Sequence, residues 1–171
     1  AAAELISVAD VVCEHRRATS VVAKHLHASL AILVPAGKPG AKLAAGRHTE
    51  VAGWRRITHE MPPRPSGVYG CSKIWGETLG RYYADAHGLS VICLRIGHVT
   101  AEDRPAAPRD FCVWCSQRDI VRMIELSIGA PAHLRFDVFY AVSDNRWGYR
   151  DLEHAREVLG FVPADRAEDH R

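Results

Sequence analysis

Apolar positions along the chain fall into a few strongly patterned stretches separated by proline and glycine clusters. Residues 5–33 are mostly good helix formers, and Val8, Val11, Val12, Val22 and Leu26 can share one side, which predicts one long helix or two shorter ones. Pro35, Gly37, Pro39 and Gly40 interrupt that pattern, and Pro62, Pro63, Pro65 and Gly67 interrupt the chain again. Between the breaks a short buried strand is expected near residues 41–45. From Tyr69 onward Trp75, Leu79, Tyr82 and Ala86 recur at helical spacing, with Gly88 as the stop. Residues 89–96 then form an almost unbroken apolar and β-branched run, the pattern of a strand buried on both faces of a parallel sheet. A further helix starts at Ser116, with Asp119 near its positive end and Ile120, Val121, Ile124 and Ile128 as its apolar stripe. Residues 136–142 read as another strand. Leu152, Ala155 and Leu159 mark a last short helix, closed by Gly160 and Pro163. Alternating helix and strand predicts an α/β fold.

Composition narrows the class. The 171 residues carry 47% hydrophobic and 25% charged residues, enough for one domain with a real core. Lys and Arg number 22 against 20 Asp and Glu, scattered without a basic run, so neither nucleic acid nor an anionic membrane is an expected partner. No apolar stretch approaches the roughly 18 to 20 residues that span a bilayer. No secretory signal is visible, and the five cysteines, an odd and irregularly spaced set, suit free thiols in a reducing compartment. The expected location is the cytoplasm, with no structural disulfide; a homo-oligomer stays open.

One spacing carries chemistry. Tyr69 and Lys73 lie four residues apart, on one face of a helix about one turn from each other. A cation so placed favours the phenolate and is expected to lower the tyrosine pKa from its ordinary value near ~10. Tyr69 then suits general acid or base work, such as the proton transfer that accompanies hydride movement between an alcohol carbon and a nicotinamide ring. The pair alone is a weak signal, since most such pairs are a half-buried tyrosine and a solvated lysine.

Its context is specific. Pro62-Pro-Arg-Pro-Ser-Gly-Val-Tyr-Gly-Cys-Ser-Lys73 leads into Trp75-Gly-Glu77, Arg81-Tyr-Tyr83 and Leu94-Arg-Ile-Gly97, then Trp114-Cys-Ser-Gln-Arg-Asp119 and Leu159-Gly-Phe-Val-Pro163. From about residue 58 to residue 169 this succession resembles the extended short-chain dehydrogenase/reductases, also called the NAD-dependent epimerase/dehydratase family, and within it is most similar to uronate dehydrogenases. The resemblance implies a Rossmann-like, doubly wound, mainly parallel sheet. It implies Tyr69 as the catalytic acid/base and Lys73 as the residue that holds the nicotinamide ribose while lowering the tyrosine pKa. Ile96 and His98 would border the cofactor, and His98 the substrate also, where those enzymes usually carry a serine. Arg109 would clamp a sugar carboxylate, for which its planar fork is suited; a surface arginine in a polar loop is the alternative. The implied cofactor is NAD, with NADP also compatible, and the implied substrate a hexuronate.

The chain departs from the family in two places. The Gly-x-x-Gly-x-x-Gly turn that offers helix-start donors to a pyrophosphate is missing; Gly37 and Gly40 lack a third glycine and adjoin Pro39. The fold is therefore expected to be partial, without the N-terminal glycine-rich βαβ unit. Residues 1–57 form a mostly helical segment of no clear assignment, and residues 58–171 form the C-terminal half of the nucleotide-binding domain with a small substrate-binding part. The hydroxyl that the family places about 25 residues before the tyrosine falls on Ala45 and Gly46, unless Thr49 replaces it. A truncated or frame-disrupted gene, or divergence, would account for both. The rival functions are a nucleotide-sugar epimerase or dehydratase, and a non-catalytic remnant or binding module.

No metal is expected. Cys112-Val-Trp-Cys115 has no second Cys pair, and His25 and His27, two apart, would point to different sides of a helix. Trp114 and Trp147 read as core or interface aromatics, and Ser116 and Asp119 as helix-capping residues.

Overall fold

The computed structural model describes residues 20–23, 56–65 and 67–170. Three parallel strands form one sheet in the order β1 (Ser20–Ala23), β2 (Ser90–Ile96), β3 (Phe136–Ala141). The α/β expectation is met. Every residue of β2 is buried, as an apolar run covered on both faces must be. Val91 pairs with Phe136 and Ile96 with Ala141, while Ser20 to Ala23 pair with Ser90 to Cys93.

β1 corrects one expectation. Ser20–Ala23 lies inside the stretch predicted as helix, yet it is a strand; its consecutive β-branched valines suit a ladder better than a helical turn. The rest of that helical expectation, and the strand expected at residues 41–45, lie outside the described residues.

Helix α1 (Val68–His87) ends at Gly88, whose left-handed φ of 66° turns the chain so that the Leu89 N–H meets the Tyr83 carbonyl at 3.5 Å. The helix forms where predicted but turns the other face inward. Trp75 and Tyr82 are 64% and 57% exposed, whereas Gly70, Gly76, Glu77, Gly80 and Ala84 are buried. The reason is distance: a Cβ on Gly80 would come within 2.9 Å of Val91 Cγ1, so only a small-residue face lets the helix axis approach β2 this closely.

The opposite face of the sheet is covered by α3 (Gln117–Ile128) and α4 (Glu153–Leu159). Ile92, Leu94, Ile96, Phe139 and Ala141 pack there with Met123, Leu152, Ala155, Leu159 and Phe161. Ser116 caps α3 by accepting the Asp119 N–H at 3.0 Å, as expected. The stripe of α3 is displaced, however. Ile120, Met123 and Ile124 face the core, while Val121 and Ile128 are 53% and 59% exposed. Val121 and Ile128 are seven apart and share a side with each other, about one residue's rotation away from the buried row. α4 closes at Gly160, φ 68°, as its sequence predicts. A short helix α2 (Asp110–Val113) and a 3-10 turn (Ala167–His170) complete the described elements. Among the described residues no helix is long and apolar enough to cross a membrane.

Candidate active site

The first two turns of α1 carry Tyr69, half exposed, and Lys73, half buried, with the Lys73 Nζ 5.0 Å from the centre of the Tyr69 ring. The pairing expected from their spacing is present, but its electrostatic effect differs from the expectation. The ammonium lies against the ring, where it meets the π-face quadrupole. Burial pushes the Tyr69 phenol above its ordinary value rather than below it.

One further turn along, Glu77 faces the sheet and meets Arg95 of β2 in a forked pair, Nε to Oε1 and Nη2 to Oε2 both at 2.9 Å. Arg95 also donates to the Tyr140 hydroxyl at 3.1 Å, so α1, β2 and β3 are joined by one buried network. Burial by itself would lower the Arg95 pKa; the hydrogen bonds and charge of Glu77 outweigh it and hold the guanidinium above its ordinary value. Sequence reasoning quoted Glu77 and Arg95 only as parts of the family pattern and missed that they pair. The available signal was position: Tyr69, Lys73 and Glu77 recur every four residues on one side of the helix.

At the carboxyl end of β2, Ile96 is buried and Gly97 sits where a Cβ would come 2.1 Å from the Val113 carbonyl oxygen. This contact seats His98. Its N–H donates to Val113 O at 2.8 Å, and its carbonyl accepts from Cys115 N–H at 3.0 Å. The His98 ring presents Nδ1 to Asp110 Oδ1 at 2.7 Å. Asp110 is fully buried, and its Oδ2 accepts the Ala106 and Ala107 N–H groups at 2.8 and 2.9 Å. A carboxylate so held places the proton on Nδ1 and sets the ring's direction. Asp110 was not singled out from sequence, since nothing local marks a contact twelve residues away.

Arg109 is exposed at the N-terminus of α2, adjacent in sequence to Asp110. Two groupings therefore result: Tyr69 with Lys73 on α1, and His98 with the Arg109–Asp110 corner beyond β2. The Glu77–Arg95 pair ties α1, which carries the first grouping, to β2, which leads into the second. Ala45, Gly46 and Thr49 lie outside the described residues.

The remaining candidates are structural. Trp114 is fully buried, and Trp147 packs with Cys112 and Val113. Cys112 and Cys115 are buried; burial pushes the Cys112 thiol up to about 12 and Cys115 higher still, the reverse of a reactive pair. Ser116 is a cap, as read from sequence. Asp119 does more than its place near the helix start implies: it accepts from Ser143 Oγ at 2.6 Å and from Ala164 N–H at 2.8 Å, pinning the C-terminal segment.

Residues 7–112 match the NAD dependent epimerase/dehydratase family. The match begins far upstream of residue 58, where the motif resemblance starts. The chain is 43% identical over 104 residues to an NAD-dependent glucose-6-phosphate dehydrogenase of Haloferax volcanii, covering 60% of this chain and 39% of that protein. It is 36% identical over 116 residues to a uronate dehydrogenase of Pseudomonas putida, covering 68% of this chain and 42% of that protein. A mutant uronate dehydrogenase of Agrobacterium tumefaciens solved in complex with NAD superposes with a TM-score of 0.61 at 36% identity, over 67% of this chain and 42% of that one. The chain thus spans about two-fifths of the length of these relatives.

Proposed function

The chain belongs to the NAD-dependent epimerase/dehydratase family, and from that premise we propose that it is part of an NAD-dependent sugar dehydrogenase that oxidises a hexuronate. The observation that carries this reading is the Tyr69–Lys73 pair in the first two turns of α1, which Glu77 and Arg95 tie to the strand ending at Ile96, just before Gly97 and His98. Tyr69 takes the proton of the substrate hydroxyl, Lys73 holds the ribose hydroxyls, and His98, oriented by Asp110, borders the substrate. Arg109 pairs with the sugar carboxylate. NAD, when bound, supplies the hydride acceptor.

The described residues fit the nicotinamide end of that cofactor. The half-buried Lys73 has an ammonium with donors for a ribose, and Tyr69 beside it is half exposed. No residue group in the 171 supplies the glycine-rich helix start that a pyrophosphate needs. The 171-residue chain is therefore expected to bind NAD weakly and to show no measurable sugar-acid oxidation. A fusion that supplies residues 58–171 with a glycine-rich N-terminal nucleotide-binding unit is expected to bind NAD and to oxidise the sugar acid. Calorimetric titration with NAD, followed by nicotinamide absorbance with glucuronate and galacturonate, decides it. Micromolar NAD binding by the 171 residues alone would overturn the reading of their N-terminal part.

In the completed enzyme Arg109→Ala is expected to raise the Michaelis constant for uronates by about ten to more than a hundredfold, the worth of a charge-assisted pair of roughly 1.5 to 3 kcal/mol. Neutral sugars should be little affected. Equal losses on both would remove the carboxylate role. Glucose 6-phosphate belongs in the same assay, because the Haloferax volcanii relative is named a glucose-6-phosphate dehydrogenase and an arginine fork serves either anion. The four cysteines described, all free, fit a reducing compartment such as the cytoplasm.

A further inference from the structure

Away from Tyr69 and Lys73, three segments distant in sequence bring two imidazoles and a carboxylate together. His59 comes from the loop before α1, Asp137 from the second position of β3, and His154 from the first turn of α4. One ligand atom from each lies within 4.8 Å of the other two. We propose that His59, Asp137 and His154 form a structural site for a divalent zinc-class ion, a role that departs from the expectation of no metal.

The donor set is chemically apt, since two imidazole nitrogens and one carboxylate oxygen are ligands that zinc and its borderline neighbours take. His154 Nε2 already stands 2.8 Å from Asp137 Oδ1, so an ion would replace the shared proton between them. Asp137 Oδ1 is further held by the Val138 N–H at 2.7 Å, which fixes the carboxylate's direction. The second observation concerns His59. Its Nδ1 is buried and has no hydrogen-bond partner, an arrangement that protein interiors rarely leave unanswered. Phe139 stacks on His154 at 4.9 Å and keeps water from one side.

Some closing is required. A tetrahedral ion with ligands at about 2.0–2.2 Å keeps them about 3.4 Å apart, so the widest pair must approach by at most about 1.4 Å. The His59 and His154 rings are stacked at 3.7 Å with 14° between planes, so their lone pairs run side by side. Binding therefore turns His59 out of the stack, about its Cβ–Cγ bond, to aim Nδ1 at the ion. The site lies about 13 Å down β3 from Ala141, counted at 3.3 Å per residue, and ties loop, sheet and α4 together.

The test is zinc titration of the chelator-stripped 171-residue chain by calorimetry, with the thermal midpoint followed in parallel. One ion per chain at low-micromolar affinity and a raised midpoint are expected. In His59→Gln and in Asp137→Asn the affinity should fall at least about a hundredfold and the midpoint shift vanish. His87→Gln, on the exposed end of α1, should leave both unchanged. Absence of saturable binding in the unaltered chain, or affinity retained in His59→Gln, overturns the site. Zinc-edge X-ray absorption on the unaltered chain needs no variant to fold: two imidazoles and only nitrogen or oxygen neighbours support the proposal, and any sulfur ligand or fewer than two imidazoles overturns it.

Discussion

Tyr69→Phe is expected to lower the turnover of the completed dehydrogenase by about a hundred- to ten-thousandfold, the usual worth of a positioned general base, while leaving its NAD affinity nearly unchanged. The asymmetry follows from the division of labour proposed for α1, in which Lys73 meets the ribose and Tyr69 meets only the reacting oxygen. A drop in NAD affinity matching the drop in turnover would mean that Tyr69 supports the fold of the site instead. The pH profile adds a second reading of the same residue. A base must be ionised to act, and burial holds the Tyr69 phenol above its ordinary value near 10 while Lys73 lies over its ring. With that geometry retained, the kcat/KM for oxidation should still be climbing at pH 9, because the phenolate fraction rises until the pH passes the raised pKa. A plateau below pH 8 would show that the ammonium swings from the ring face to the phenol oxygen in the working enzyme.

Glu77→Ala should cost about 3–5 kcal/mol of stability, since it strands the Arg95 guanidinium, whose side chain is only 5% exposed, without a counter-charge. Denaturant unfolding followed by circular dichroism measures this. Replacing both partners, Glu77→Leu with Arg95→Met, should recover most of the loss, because an apolar pair avoids the desolvation penalty of two buried charges. A single variant as stable as the parent would show that water reaches Arg95 in the folded chain. Tyr140, which accepts from the same guanidinium, should then be as dispensable as Glu77.

What could be read from sequence divides along the range of the forces involved. α1, α3, α4, β2 and β3 were legible because each is announced by neighbouring residues: Gly88 and Gly160 as stops, Ser116 as a cap, and the run into Ile96 as a strand covered on both sides. The Tyr69–Lys73 pair was legible for the same reason, being one helical turn. The inward face of α1 was not. Hydrophobicity pointed to Trp75 and Tyr82, whereas contact distance selected Gly80, and a periodicity argument weighs apolar size without knowing how near the sheet will come. The strand at Ser20–Ala23 was hidden because four residues are too few to declare a period, and its stability comes from β2 rather than from itself. Pairs such as Glu77 with Arg95 and His98 with Asp110 join residues 18 and 12 positions apart, and no local pattern encodes them.

The order in which the sheet is made gives Arg95 a second importance. On its β3 side β2 pairs with residues 45 positions further on, Val91 with Phe136, so during synthesis it leaves the ribosome before that second partner strand exists. At about 5–20 residues per second that interval lasts about 2 to 9 seconds. For this time the edge of the apolar run Val91 to Leu94 that β3 later covers is open, the kind of edge that associates with other nascent chains. A charge at its end opposes such association while the strand waits. Arg95 thus acts as a gatekeeper of the unfinished chain, and Glu77, already synthesised on α1, is at hand to neutralise it once the helix docks.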